Sequence, residues 1–225
     1  LFKKIFFKMI IGIEINKQSY SPESYAYFEF LKKYNHKVYL DYYSSILSYN
    51  PDIVIRVMGM DIYKKKDIKI IHDYSSMSVS PFPNLKNFIK KTINLKPSKR
   101  IFNCNFIRNS FNFKDEVPYT IRDTGVDKLF YQSPSKNPNY DIVYAGSLDG
   151  RYGLIKTLLQ LEKKNFKTVV VGSVKKEIIN LFNKNKTTFL GKLNRNVIPT
   201  VFYECKFGLN YTPDIYPFNF QNSTK

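Results

Sequence analysis

Along the chain, short runs of β-branched and aliphatic residues alternate with segments whose apolar residues recur at three- and four-residue intervals. That rhythm predicts strand–helix–strand units, and so an α/β protein with parallel sheets. Met9 to Ile15 (MIIGIEI) reads as a buried first strand. Ser21-Pro22-Glu23 then brings a capping hydroxyl, a proline for the first helical position and an acid for the first turn. Tyr25, Phe28 and Leu31, with Tyr27 and Tyr34 beside them, make one apolar face of a helix ending near Asn35. Val38 to Leu40, Ile53 to Met58 and Ile68 to Ile71 predict three more strands, and the Ser- and Pro-rich stretch 73–83 predicts a loop. Ile101-Phe102 and Tyr119 to Ile121 carry a fainter strand pattern.

After Phe130 the pattern breaks. Residues 131–140 (YQSPSKNPNY) hold two prolines and no aliphatic side chain, which suits a linker. It separates an N-terminal domain, 1–130, from a C-terminal one, 141–225. The second series starts with a strand at Asp141 to Ala145 and a helix carrying Leu154, Ile155, Leu158, Leu159 and Glu162. Thr168 to Val171 and Thr187 to Leu190 are strands closed by Gly172 and Gly191. Val174 to Phe182 and Val197 to Glu204 predict helices, and Phe207 to Asn210 a last strand. Only a Pro-rich loop follows, so the second domain is expected to be incomplete and the sequence a fragment.

Composition narrows the classes. The chain has 225 residues, 43% of them hydrophobic, which excludes wholesale disorder. Its 36 Lys and Arg against 18 Asp and Glu give +18, a balance that favours anionic partners. Lys, Asn, Ile, Tyr and Phe are all abundant together, as an AT-rich genome produces, so charge by itself selects no partner. The basic residues are spread without an RNP-type or helix-turn-helix pattern, and no nucleic-acid partner is expected. Cys104 and Cys205 are the only cysteines, too few for a disulfide scaffold or a thiolate metal site, and point to small core residues in a reducing, cytoplasmic setting. His36 and His72 are the only histidines, so a His-rich or HExxH zinc site is excluded. Met9 to Ile13 is too short an apolar run to cross a bilayer. The opening LFKKIFFK is either a frayed leader or, through Lys3, Lys4, Lys8, Phe2, Phe6 and Phe7, a peripheral contact with an anionic membrane.

In open parallel sheets, ligands collect where strand carboxyl ends meet helix amino ends. The best such place is the strand-to-helix turn from Ala145 to Gly153 (AGSLDGRYG). Gly146 and Gly150 permit close backbone approach, Ser147 offers a hydroxyl and Arg151 a forked cation. Such glycines also serve backbone geometry alone, and the turn is neither GxGxxG nor a Walker loop. In the other half, Ile71-His72-Asp73 ends a strand. His72 either activates a substrate hydroxyl or bonds a loop, and Asp73 is equally open to a capping role. His36 reads as structural. Arg56 lies inside a strand, where it faces a cleft or pairs with an acid.

Several pieces, in order, resemble the GT-B glycosyltransferases of the family 4 type. Asp141 to Ser147 (DIVYAGS) followed by Arg151 is similar to the first strand and phosphate turn of their donor domain, and Thr168 to Gly172 (TVVVG) to its second strand. Thr188 to Leu193 (TFLGKL) resembles the family's flG turn, and Val201 to Asn210 the helix and strand after it. Asn219 to Lys225 (NFQNSTK) looks like the lead-in to the donor loop. Arg122 to Asp127 with Phe130 is similar to the N-G-V-D…F turn, and Asn35 to Val38 to the G-H-x-V turn. The match runs from about Met9 to Lys225.

The resemblance implies two Rossmann-like domains and a hexosyl transfer from a nucleoside-diphosphate sugar to a glycan, lipid-linked or protein acceptor, with retention of configuration. It implies Gly146, Ser147, Arg151, Gly191, Lys192, Leu193, Ser223, Thr224 and Lys225 on the donor side, and His72 with Asp73 near the acceptor hydroxyl. No cofactor is implied, and since the chain contains no Asp-x-Asp pair, cations and helix-end amides are expected to carry the diphosphate charge without a metal. The sequence departs from the family at Ser147, where a cation is usual, and at Asn16 to Tyr20, where a Gly-rich turn is usual. A basic nucleic-acid-binding α/β protein, a sugar-nucleotide epimerase and an inactive binding relative remain the alternatives.

Overall fold

The computed structural model describes residues 8–15, 21–57, 59–62, 67–78, 82–123, 125–126, 128–131, 133, 135–148, 151 and 153–211. The chain divides into two compact units, Leu1–Thr124 and Gly125–Lys225, each a parallel sheet with helices packed on it.

The first unit runs β1 (Ile10–Glu14), α1 (Pro22–Lys32), β2 (Lys37–Asp41), α2 (Tyr43–Ser48), β3 (Ile53–Val57), β4 (Lys69–Tyr74), α3 (Pro83–Ile93), β5 (Lys99–Phe102), α4 (Asn105–Phe111) and β6 (Tyr119–Ile121). Its six strands lie in the order β2-β1-β3-β4-β5-β6, all parallel. The order reverses at β1, so the β1/β3 boundary is the place where such sheets open a crevice at their carboxyl edge. On one face Ile11, Ile13 and Ile55 pack with Tyr27, Phe28 and Leu31 of α1. That is the apolar helix face read from the sequence. On the other face α2 presses on β1 closely enough that a Cβ at Gly12 would fall 2.2 Å from Ile46 Cγ2. Further along, Tyr74, Phe102, Ile107 and Phe111 form an aromatic cluster beneath α4. Ser21 holds the capping position of α1, but its hydroxyl caps nothing; its carbonyl accepts Ser24 N–H at 3.1 Å.

The second unit holds β7 (Tyr140–Ala145), α5 (Leu154–Lys163), β8 (Thr168–Val171), α6 (Lys176–Ile179), β9 (Thr187–Gly191), α7 (Ile198–Tyr203) and β10 (Cys205–Gly208). The strand order is β10-β7-β8-β9, parallel throughout, with the reversal between β7 and β10. Leu154 and Leu158 of α5 pack on Tyr144 and Val170, while Val201 and Phe202 of α7 cover Val143, Val169 and Cys205 on the opposite face.

Boundaries shift where tertiary pairing extends or moves an element. β4 continues to Tyr74 rather than ending at Ile71, because Tyr74 pairs with Phe102 and joins the aromatic cluster. The last strand begins at Cys205, two residues before the expected Phe207, because Cys205 fills the space beside Val143. The helix expected over 174–182 contracts to α6, and α2, α3 and α4 occupy stretches where no helix was expected.

Candidate functional site

Three glycines close three neighbouring strands of the second sheet: Gly146 after β7, Gly172 after β8 and Gly191 ending β9. Gly146 N–H donates to Val171 O at 2.9 Å, and Gly172 N–H to Gly191 O at 2.8 Å. Gly172 has φ +144°, and a Cβ there would lie 2.1 Å from Gly146 O. Backbone therefore packs on backbone under the Gly146-Ser147 turn, a contact only glycine permits. Above it, Tyr144 Oη donates to Ser147 O at 3.0 Å and fixes the turn from behind. Burial pushes that phenol's pKa up, and the nearby Arg151 charge pulls it back.

The turn leads into α5, whose first turn carries no side-chain cap and no acid. Gly153 begins the helix at φ +84°, and a Cβ on it would come 2.3 Å from Tyr211 Oη. Tyr211 follows β10, so the ends of β7 and β10, the two strands at the reversal, meet over the start of α5. Arg151 is half-buried at the same point, its carbonyl accepting Leu154 N–H at 3.1 Å. A helix start without a side-chain cap, the positive end of its dipole and the charge of Arg151, close enough to act on the Tyr144 phenol, lie in one stretch of chain, an arrangement suited to phosphate.

The structure thus brings Gly146, Ser147 and Arg151 together and joins Gly191 to them through Gly172. Lys192 is exposed and Leu193 half-buried just past β9, at the far edge of the sheet from β10. Ser223, Thr224 and Lys225 lie outside the described residues, as do the opening residues 1–7.

In the first unit, His72 and Asp73 are both fully buried. As neighbours in a strand they face opposite sides of the sheet and join different networks. His72 Nε2 is 2.8 Å from Asp61 Oδ2. Asp61 also accepts from Arg56 Nη1, and Arg56 Nε donates to Glu14 Oε2 at 2.6 Å. The Arg56 guanidinium lies over the Tyr43 ring, 3.8 Å from its centre. This chain, Glu14–Arg56–Asp61–His72, follows the β1/β3 reversal, with Glu14 at its more open end. Arg56 therefore pairs with acids. Burial drives the His72 pKa down, opposed by its bond to Asp61, so the ring is neutral near pH 7.

On the other face, Asp73 accepts from Tyr27 Oη at 2.6 Å and from Ser75 Oγ at 3.0 Å. Arg122 Nε, just after β6, stands 3.3 Å from Asp73 Oδ2, and its Nη2 lies 3.7 Å from Glu23 on α1. Burial raises the Asp73 pKa, against the pull of Arg122. A cavity of about 370 Å³ beside β5 and the start of β6 adds nothing to either network. Of its arginines, Arg100 stacks on Phe113 and pairs with Asp115, and Arg108 stacks on Tyr119. Among the described residues no group of three or more His, Cys, Asp or Glu side chains is placed to hold a metal ion.

Glu14, Asp61, Tyr27 and Glu23 escaped the sequence reading as site residues. One signal was available: Glu14 is the lone acid of MIIGIEI and Arg56 the lone cation of IVIRVM, opposite charges in two apolar strands.

No family model matches the chain, and no curated protein matches its sequence. Solved structures do match in three dimensions. A T4 phage BGT mutant in complex with UDP-glucose superposes with a TM-score of 0.58 at 13% identity, over 92% of this chain and 74% of that one. AviGT4, a glycosyltransferase involved in avilamycin A biosynthesis, gives 0.53 at 11% identity over 85% and 67%. The UDP-N-acetylglucosamine 2-epimerase of Rickettsia bellii gives 0.55 at 9% identity over 89% and 73%. The chain has a GT-B-like fold. At such identities the likeness is one of fold, and chemistry has to be argued from the side chains.

Proposed function

We propose that this GT-B-like chain binds a nucleoside-diphosphate sugar on its second unit and transfers the sugar to a glycan, lipid-linked or protein hydroxyl, as a glycosyltransferase of the family 4 type. The observation that carries the reading is the convergence of the Gly146-Ser147 turn, the uncapped start of α5 and Arg151 at the β7/β10 reversal. When the bond from the anomeric carbon to the diphosphate breaks, negative charge gathers on the leaving oxygens. Arg151 and the amide donors stabilise it without having to reorient. Gly191, Lys192 and Leu193 are assigned to the nucleobase side, and Ser223, Thr224 and Lys225 to the phosphates.

On the acceptor side, the enclosed His72 ring is assigned a positioning role rather than proton abstraction. It holds Asp61, which holds Arg56, which orients the half-buried Glu14 carboxylate at the edge of the reversal. Glu14 is the group we assign to the acceptor hydroxyl. Asp73, closed in by Tyr27, Ser75 and Arg122, is assigned to the support of α1.

Calorimetric titration with UDP, GDP and an oligonucleotide tests the donor assignment. Saturable nucleotide binding is expected, weakened by about 1.5–3 kcal/mol in Arg151→Ala, the range for a charge-assisted hydrogen bond. Unchanged affinity in that variant removes the site, and oligonucleotide binding that persists at moderate salt without nucleotide preference overturns the reading. The matched epimerase fold supports one second reading, isomerisation of the sugar on its nucleotide. Incubating the chain with UDP-sugars and no acceptor separates the two, since only an epimerase yields a new UDP-sugar.

A further inference from the structure

Helix α3 is built the wrong way round for a helix on the outside of a soluble unit. Its apolar residues recur at Leu85, Phe88, Ile89 and Ile93, the spacing of one helical face. That face is turned outward: Leu85 is 56% exposed, Phe88 61% and Ile93 50%, with Phe82 just before the helix at 72%. Inward goes a polar side chain, Asn87, whose Oδ1 accepts Ser78 N–H at 2.9 Å. Met60 and Ile62, both about half exposed, adjoin the far end of α3 through Asp61, whose N–H donates to Asn94 Oδ1 at 2.8 Å and whose carbonyl accepts Leu95 N–H at 2.8 Å. Isolated exposed hydrophobes need no explanation, but a stripe along a whole helix does.

The charge around the stripe selects its occupant. The helix contains Lys86, Lys90 and Lys91 and no acid, and Lys96 follows it. A second copy of this chain would bring an equally basic helix against the first, at a repulsive cost. A surface of anionic lipid headgroups meets both demands, since the acyl boundary takes the apolar stripe and the headgroups pair with the exposed Lys86 and Lys96 and the half-buried Lys91, whereas Lys90 is drawn toward the unit and burial lowers its pKa. We propose that α3 is an interfacial helix that docks the first unit on an anionic membrane, lying in the plane of the headgroups with Phe82, Leu85, Phe88 and Ile93 inserted. The anchoring of Asn94 and Leu95 on Asp61 would put the Glu14–Arg56–Asp61–His72 chain close to that lipid surface.

Co-sedimentation of the full chain tests this, using vesicles of phosphatidylcholine alone and of an equal mixture with phosphatidylglycerol. Binding is expected to the mixed vesicles only, falling as salt rises. Lys86→Gln with Lys91→Gln should weaken it about 30-fold, from about 1 kcal/mol for each lysine near an anionic surface. Phe88→Asp should abolish sedimentation while leaving UDP affinity and the circular dichroism spectrum unchanged, because Phe88 is exposed and belongs to the other unit from the donor site. The proposal fails if neither vesicle binds, if both bind equally, or if Phe88→Asp binds as the parent does. It also fails if light scattering without vesicles shows a dimer that Phe88→Asp dissolves. Loss of UDP affinity in Arg151→Ala bears on the donor site alone, so the two proposals stand or fall apart.

Discussion

At Gly172 the carboxyl edge of the second sheet has room for backbone and nothing more. Gly172→Ala puts a methyl group against Gly146 O and holds an L-residue at a φ of +144°. A loss of about 1–3 kcal/mol in urea unfolding is expected, the range for strained backbone, together with weaker UDP binding. An unchanged midpoint would show that the turn can yield. His72 gives a pH signature. Its folded pKa lies below the ordinary 6.5, so below that pH the unfolded chain takes up the proton more readily. Stability should therefore be full above about pH 6.5 and decline on acidification, a step that His72→Gln removes from the pH profile of unfolding. Burial pushes the Cys205 thiol up to about 11, and beside it Val143 and Val169 close the sheet face. Native protein at pH 8 should leave Cys205 unmodified by iodoacetamide until denaturant is added.

At the scale of elements, charged side chains brace the first unit where strands and helices meet. Arg122, beyond β6, reaches Asp73 at the end of β4 and Glu23 at the start of α1. Arg122→Ala leaves a buried carboxylate without its cation, at a cost of about 3 kcal/mol measured by denaturant unfolding, the low end of the buried-pair range because Arg122 keeps some exposure. Arg122→Lys should recover only part of that, since an ammonium cannot serve Asp73 and Glu23 with one planar fork. Arg100 and Asp115 tie β5 to the loop before β6, and their bidentate bond lowers the Asp115 pKa to about 2. The contribution of this pair is present above about pH 4 and lost as pH falls toward 2, opposite in direction to any effect of a raised carboxyl group. Asp115 is partly exposed, so the step should be small and should shrink further with salt.

Across the whole molecule, each of the two units carries its own parallel sheet with its own strand reversal. Hydrogen exchange with and without UDP should show new protection at 144–156 and 209–211 and little change in β1 to β6. Protection centred on the first unit instead would move the donor site. The net charge of +18 becomes informative only once placed. Part of it, Lys86, Lys90 and Lys91, lies on α3, the helix proposed to meet an anionic surface, and Arg151 stands just before α5, where a phosphate is proposed.

Much of this could be read from residue order. Strands such as TVVV at β8 are legible because a strand buried on both faces is a nearly continuous run of β-branched, mostly apolar residues. The glycine-bearing turn after β7 was legible because a strand, a glycine and the start of a helical pattern follow one another within a few residues, although such glycines also serve backbone geometry alone. Helix α3 was open to the same reading, through Pro83 and the 85/88/89/93 spacing, but periodicity tells that a face is apolar and not which way it points. The sequence determined the two α/β series, their strands and the glycine-bearing turn after β7, since each follows from neighbours a few residues apart. Only the tertiary structure decided the strand order with its two reversals, the joining of Glu14, Arg56, Asp61 and His72 from three strands and a loop, the burial of His72, and the outward turn of α3. Those depend on contacts between residues far apart in the chain, which no local pattern of side chains specifies.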